Sequence, residues 1–396
     1  MTQVQNTSLP FNPSIFAWAR NRAGLAIDEV AEKIKVKPEK ISAWENGKIS
    51  PTVRQGRNLA KCYKRPFLEF FAKSIPSIPD VELVPDFRFY NETTSAQEKH
   101  ALKAVQEWAE NVRLNAIAII DDLGEEPRKF SHNLKFSYKD DPSIAASTLR
   151  DAMGFNIEDQ LHIPKGKKYK LPNILRGLIE DMGVIVLKQS SITKLNARGM
   201  CIYSDILPTI IYGGEAPSAQ SFTIMHEFAH VVIGTSAISS GLSIGKDIPS
   251  QDAPIEKWCN HFAASFLMPE SAIKNITSIP SSKVNEIDES WLRTTSGMFG
   301  VSPHSFLIRL IDLDLIDSDF YWSKMRPKFL KEESQYKSFG RPSYYGKRYI
   351  STNGRFYTNL VLDALGRGIV DAHNAANYLG IKNLQHLADI KAEARV

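Results

Sequence analysis

Cysteine is almost missing from this chain: Cys62, Cys201 and Cys259 are all that 396 residues contain, odd in number and widely spaced. That pattern excludes a disulfide framework and fits a reducing cytoplasm. No run of eighteen or more apolar residues occurs, so no segment is expected to cross a membrane. The opening residues MTQVQNTSLPFNPS lack both a basic start and an apolar stretch, so no signal peptide is expected. Internal repeats and low-complexity tracts are lacking too. What is present is a 43% hydrophobic content, enough for two or three domains with cores of their own.

Charge is unevenly placed. Residues 1–75 hold thirteen Lys/Arg against six Asp/Glu, a net +7, whereas the whole chain is +5, so everything after residue 75 comes to −2. A basic module on a nearly neutral body points to a polyanion partner, although a solvated basic face gives the same count. The Pro/Ser-rich stretch SIPSIPDVELVPD, residues 74–86, reads as a linker. Leu102, Val105, Trp108, Val112 and Ile119 then fall at helical spacing between Ser95 and Asp122. Shorter helices are expected near Pro142–Met153 and Leu171–Met182. VIVLK, MCIYS and TIIY read as short strands, the first preceded by Gly183.

Residues 12–71 read as four or five short helices with Ile15, Phe16, Leu25, Val30, Ala31, Ile34, Ile41, Trp44, Leu59 and Ala60 at core positions. The short turn KVKP between the second and third, with Gly47 closing the third, has helix-turn-helix proportions. Gly24-Leu25, Glu29-Val30-Ala31, Ile41-Ser42, Trp44-Glu45, Gly47 and Pro51 make this segment resemble the Cro/C1-type (Xre) helix-turn-helix family. The resemblance implies binding of double-stranded DNA. One departure stands out: the second helix in that family commonly opens with Thr-Gln, and here those places hold Ala26 and Ile27. An isoleucine cannot hydrogen-bond a phosphate, so the third helix would carry the contacts, with Lys37 and Lys40 on phosphates and Ser42 or Asn46 nearer base edges. A module that keeps the shape but binds protein is the alternative, and a homodimer remains open.

The stretch FTIMHEFAHVV, Phe222–Val232, places two histidines one helical turn apart with a glutamate directly after the first. Two neutral imidazoles so spaced can hold one Zn²⁺, with Glu227 set beside it to deprotonate water. Phe222, Ile224, Met225, Phe228, Val231, Val232 and Ile233 predict that this helix is almost wholly buried. Burying three ionisable groups costs several kcal/mol unless they find partners, and a metal partners all of them. The next helix, APIEKWCNHFAASFLM, offers Glu256, Cys259 and His261, flanked by Asp252 and Glu270. Glu256 is favoured as third ligand because Asn260, Ala263 and Leu267 follow it at three- to four-residue steps, with Asn260 placed to steady the site. Asp252 fits better as a helix cap, Cys259 as a packed thiol, and His261 as a surface or supporting residue. Residues of this pattern, His226-Glu227-x-x-His230, then Glu256-x-x-Cys259-Asn260-x-Phe262-Ala263-Ala264 and Leu267-Met268-Pro269, make residues 140–318 resemble the ImmA/IrrE family of zinc peptidases.

That resemblance implies His226, His230 and Glu256 as ligands of one zinc per chain and Glu227 as general base. Mn²⁺ or Fe²⁺ would suit the same donors. It also implies a protein substrate, typically a helix-turn-helix repressor cleaved in stress or mobile-element control. A strand edge at MCIYS or TIIYG is a candidate for holding substrate backbone, and Tyr203, Tyr212 and Arg198 are candidate oxyanion donors. WLRTTSGMFGVSPHSFLIRLIDLDLI has a second helix-turn-helix look but no basic excess, so it reads as a packing element. From Trp322 to Arg348 eight Lys/Arg face two Asp/Glu among aromatics, a composition fitting nucleic acid or an ordinary basic linker and hairpin.

The expected chain is mainly α with a small β-sheet. It has an all-α helix-turn-helix domain (1–75), a linker and helical connector (76–139), an α+β zincin-like peptidase domain (140–320) and a basic/aromatic segment with a helical tail (321–396). The alternative function is a non-proteolytic transcription factor or antitoxin with a peptidase-like sensor domain.

Overall fold

The computed structural model describes residues 10–63, 65–75, 83–85, 96–239, 253–276, 287–335 and 344–394. The chain divides into two compact units, Met1–Glu82 with Glu92–Ala104, and Leu83–Asn91 with Val105–Val396.

In the first unit, α1 (Pro13–Arg22) starts at Asn12, whose side chain accepts from the Ser14 amide. It is followed by α2 (Ile27–Ile34), α3 (Pro38–Glu45), α4 (Val53–Tyr63) and a 3₁₀ turn, Phe67–Phe71. Eight of the ten expected core residues are buried; Leu25 and Ile34 are only half-buried, and Phe11, Ala19, Ala23, Tyr63 and Phe70 complete the core. Arg20 grips Glu45 through two bonds of 2.7 and 2.9 Å, tying α1 to the end of α3. Helix α2 has no side-chain cap at Ala26; Glu29 instead folds back to accept the Ala26 amide at 2.8 Å. Ile27 packs against the core, which accounts physically for a hydrophobe in that place.

Helix α5 (Ala96–Asp122) buries Leu102, Val105, Val112 and Ile119 as the spacing predicts, with Trp108 half-buried. Then come α6 (Pro142–Ala152), α7 (Ile157–His162), α8 (Leu171–Asp181), β1 (Ile185–Lys188), β2 (Gly199–Ile202), β3 (Thr209–Tyr212), α9 (Pro217–Ile233), β4 (Ala237–Ser239) and α10 (Ala253–Leu267). The four strands run in the order β1-β3-β2-β4, with β1 parallel to β3 and the other pairings antiparallel. Helices α8 and α9 pack together, α9 against β2 and β3 and α8 against β1; α10 lies on α9, and α6 on α10. The core between these layers holds Leu175, Val186, Ile210, Phe228, Phe262 and Phe266. Each such phenylalanine contributes roughly 2–3 kcal/mol by leaving water.

Strands β2 and β3 are both interior, so neither MCIYS nor TIIYG is the free edge the sequence pattern suggested. The edges are β1 and β4. Strand β4 carries no signal in the sequence, because three residues are too few to show alternation.

The chain continues through α11 (Glu270–Ile276), α12 (Glu289–Phe299) and α13 (Pro303–Asp312). Leu292, Phe299, Phe306, Leu307 and Leu310 are buried, so the second helix-turn-helix-like stretch is a packing element. Short α14 (Ser318–Phe320), a π-helical turn at Tyr321–Met325 and α15 (Arg326–Gln335) are helical where a hairpin was one expectation. The tail is α16 (Tyr345–Asn353), α17 (Arg355–Gly366), α18 (Ala372–Tyr378) and α19 (His386–Ala394). No helix among the described residues is long and apolar enough to cross a membrane.

Candidate metal centre

Helix α9 begins with Pro217 in its first turn and ends at Gly234, whose left-handed conformation (φ 72°) lets its amide cap the His230 and Val231 carbonyls. Between these ends His226 and His230 point the same way, one turn apart, as the four-residue spacing requires. Helix α10 brings Glu256 to them. His226 Nε2 lies 3.3 Å from Glu256 Oε2, and His230 Nε2 lies 3.1 Å from Glu256 Oε1. One ligand atom from each of the three falls within 4.8 Å of the others, and all three residues are buried. Two donors held about 2.1 Å from one tetrahedral ion stand roughly 3.4 Å apart, so the donor set fits a divalent cation with an open coordination position.

The outer atoms of the histidines are held as metal-binding imidazoles need. His226 Nδ1 is 3.0 Å from Asn260 Oδ1, an acceptor that makes Nδ1 the protonated nitrogen and leaves Nε2 a lone pair. His230 Nδ1 is 3.1 Å from the Thr235 hydroxyl, with the Cys259 sulfur at 3.6 Å. Ser239, on β4, places its hydroxyl 3.1 Å from His226 Nε2. Asn260 thus stands where helical spacing put it. Thr235 and Ser239 carry no signal in the sequence, since hydroxyl residues in a Ser-rich run look like loop.

Glu227 is fully buried, and among the described residues neither of its carboxylate oxygens has a hydrogen-bond partner of proper geometry. Burial pushes its carboxyl up to about 8, with the opposing pull of His226 too weak to restore it. Glu256 behaves oppositely: burial works against its ionisation, but His226 and His230 outweigh that and hold it at about 2. Burial likewise disfavours the imidazolium at His226, where Glu256 prevails and raises it, whereas at His230 burial prevails. The room Glu227 occupies is made by Gly199 on β2: a Cβ there would stand 2.6 Å from both Cγ and Cδ of Glu227.

Three buried polar side chains fix the far end of α10. Arg150 Nη1 donates to the Phe266 carbonyl at 2.7 Å, Gln160 Nε2 to the Leu267 carbonyl at 2.9 Å, and Arg309 Nε to the Met268 carbonyl at 3.3 Å. They cap carbonyls that a helix end leaves unpaired, and so hold the helix that delivers Glu256. His261 turns away from the metal-binding cluster and sits half-buried between Ser143 and Arg309, each 3.3 Å from Nε2. Cys259 is a packed thiol whose ionisation burial opposes. The suggested cap Asp252 lies outside the described residues. Of the three candidate oxyanion donors, Tyr212 is buried beside Arg176, and Arg198 is ion-paired to Glu215 at 3.1 Å. Tyr203, past the end of β2 opposite to Gly199, binds Lys135 at 2.7 Å.

In the first unit, Lys37, Lys40 and Asn46 are exposed and Ser42 is half-buried. Ser42 and Asn46 share the side of α3 opposite buried Ile41 and Trp44, together with the acidic Glu39. Lys40 lies at the flank instead, its ammonium 5.8 Å over the Trp44 ring.

Comparison with known proteins agrees with this division. Residues 191–310 match the family described as IrrE N-terminal-like domain (Peptidase_M78), and residues 16–70 match the family described as Helix-turn-helix (HTH_3). No curated protein and no solved structure matches the chain. The chain thus carries an N-terminal segment similar to helix-turn-helix domains of Cro/C1 type and a later segment similar to the IrrE N-terminal-like (Peptidase_M78) domain.

Proposed function

We propose that this protein is a DNA-binding regulator with zinc-dependent endopeptidase activity, whose substrate is a helix-turn-helix repressor. The observation that carries the reading is the buried convergence of His226, His230 and Glu256 beside the buried carboxylate of Glu227. Those three side chains would hold a divalent ion, which would supply Lewis acidity at the scissile carbonyl. Glu227 would be the base, its buried carboxylate standing on α9 directly after the ligand His226. The same oxygen then returns that proton to the leaving amine. Asn260 and Thr235 hold the two imidazoles in orientation. The first unit would bind double-stranded DNA through α3, bringing the peptidase to repressor-occupied sites.

Metal content and cleavage test this together. Wild-type protein is expected to hold one zinc per chain, His226→Ala to lose it, and Glu227→Gln to keep it while failing to cut a co-encoded repressor. Manganese or iron in place of zinc would change the metal but not the ligands. A wild-type chain that cannot be loaded with any of the three sinks the peptidase reading. Metal retention with no cleavage of any repressor offered would favour a sensor domain.

A further inference from the structure

The sheet has two edges, and both are occupied. In β1, Ile185 and Gln189 direct their amides to β3, so Val186 faces outward; its carbonyl accepts from the Arg176 guanidinium. In β4, Ala237 and Ser239 stand opposite Cys201 and Gly199, and Ile238 presents its amide to the outside. That amide donates to the carbonyl of Pro85 at 2.9 Å. The preceding amide, Val84, donates at 3.0 Å to Oε1 of Gln106 on α5. Gln106 is 2% exposed and is itself oriented by a 2.9 Å bond from Nε2 to Glu110. Residues 83–85 thus lie on the outer edge of β4, clamped from behind by a buried glutamine.

This edge adjoins the metal centre, since Ser239, next to Ile238, touches His226. An extended polypeptide bringing a scissile bond to Glu227 would run along β4 and take up the Ile238 amide, because main-chain pairing at a sheet edge is how extended peptides are held. The connector already holds that position. We propose that residues 83–85 form an autoinhibitory strap that closes the substrate edge of the peptidase, and that an extended polypeptide enters by displacing it. This rests on the peptidase reading for the meaning of the edge, though not for its measurement.

The test uses the full chain carrying Glu227→Gln, loaded with zinc, so that binding is read without turnover. The probe is a synthetic peptide of residues 82–87, ELVPDF, added in trans. Gln106→Ala removes the clamp, and Val84→Pro removes the clamped amide without touching a fully buried side chain. Each is expected to speed hydrogen exchange at the Ile238 amide at least tenfold and to bind the peptide at least tenfold more tightly. Saturating peptide should restore the protection. Unchanged exchange, or faster exchange without tighter peptide binding, overturns the strap. Repressor cleavage, measured separately on the chain with Glu227 intact, decides the peptidase reading by itself.

Discussion

Gly199 is one residue on which the proposed chemistry would hang without its taking part. Its missing side chain is the space in which Glu227 lies, and the glutamate cannot retreat because α9 is buried on every side. Gly199→Ala is expected to cost about 1–3 kcal/mol by overpacking. It should leave zinc bound, since no ligand is touched, and lower kcat by roughly a hundredfold by moving the base. Metal analysis and cleavage rates on the same preparation check this, and loss of the metal would contradict it. Little of this was legible beforehand. The histidines, both glutamates and Asn260 announce themselves through helical spacing, because a helix converts sequence separation into direction. Gly199, Thr235 and Ser239 reach the site through tertiary packing, and no spacing relates them to it.

At the scale of elements, the long helices were readable to within a residue or two because their apolar positions recur and their ends carry proline, asparagine or glycine. Short elements were not: β4 has three residues, and the 3₁₀ turns at Lys165–Lys170 and Ile192–Leu195 lack any period. The tail, which the sequence marked only as helical, packs on β1 and α8, and a buried ion pair ties it there. Arg176 bonds Glu180 at 3.0 Å and donates to the Ser351 carbonyl at 2.6 Å, capping the end of α16. Glu180 accepts the Arg355 and Phe356 amides, both at 3.1 Å, capping the start of α17. Gly354 between them has φ 83°, and a Cβ there would come within 2.8 Å of Arg176. Glu180→Ala strands a buried guanidinium and should cost about 3–5 kcal/mol. Hydrogen exchange over residues 344–394 should accelerate more than that over α9. Uniform acceleration would mean that the tail is not separately anchored.

At the scale of the whole molecule, the charge division visible in the sequence predicts the behaviour of the first unit. Binding of the full chain to duplex DNA should weaken steeply between 50 and 200 mM salt, by about 10³ or more if six phosphates are engaged. Replacing both Lys37 and Lys40 with alanine should flatten that slope by about 2 and weaken all sequences alike, whereas Asn46→Ala should relax preference at one position. Anisotropy titrations over the salt range measure both. Salt-independent binding would mean that the module recognises protein.

The closing of β1 also has a meaning in time. A strand formed at Ile185–Lys188 has its outer carbonyl satisfied by Arg176, only ten residues upstream, yet that guanidinium is held in turn by Ser351, far downstream. During synthesis the sheet can therefore assemble early while the guanidinium on one border stays unfixed until α16 has left the ribosome. Helix α16 is, in this sense, the seal on a structure begun long before it.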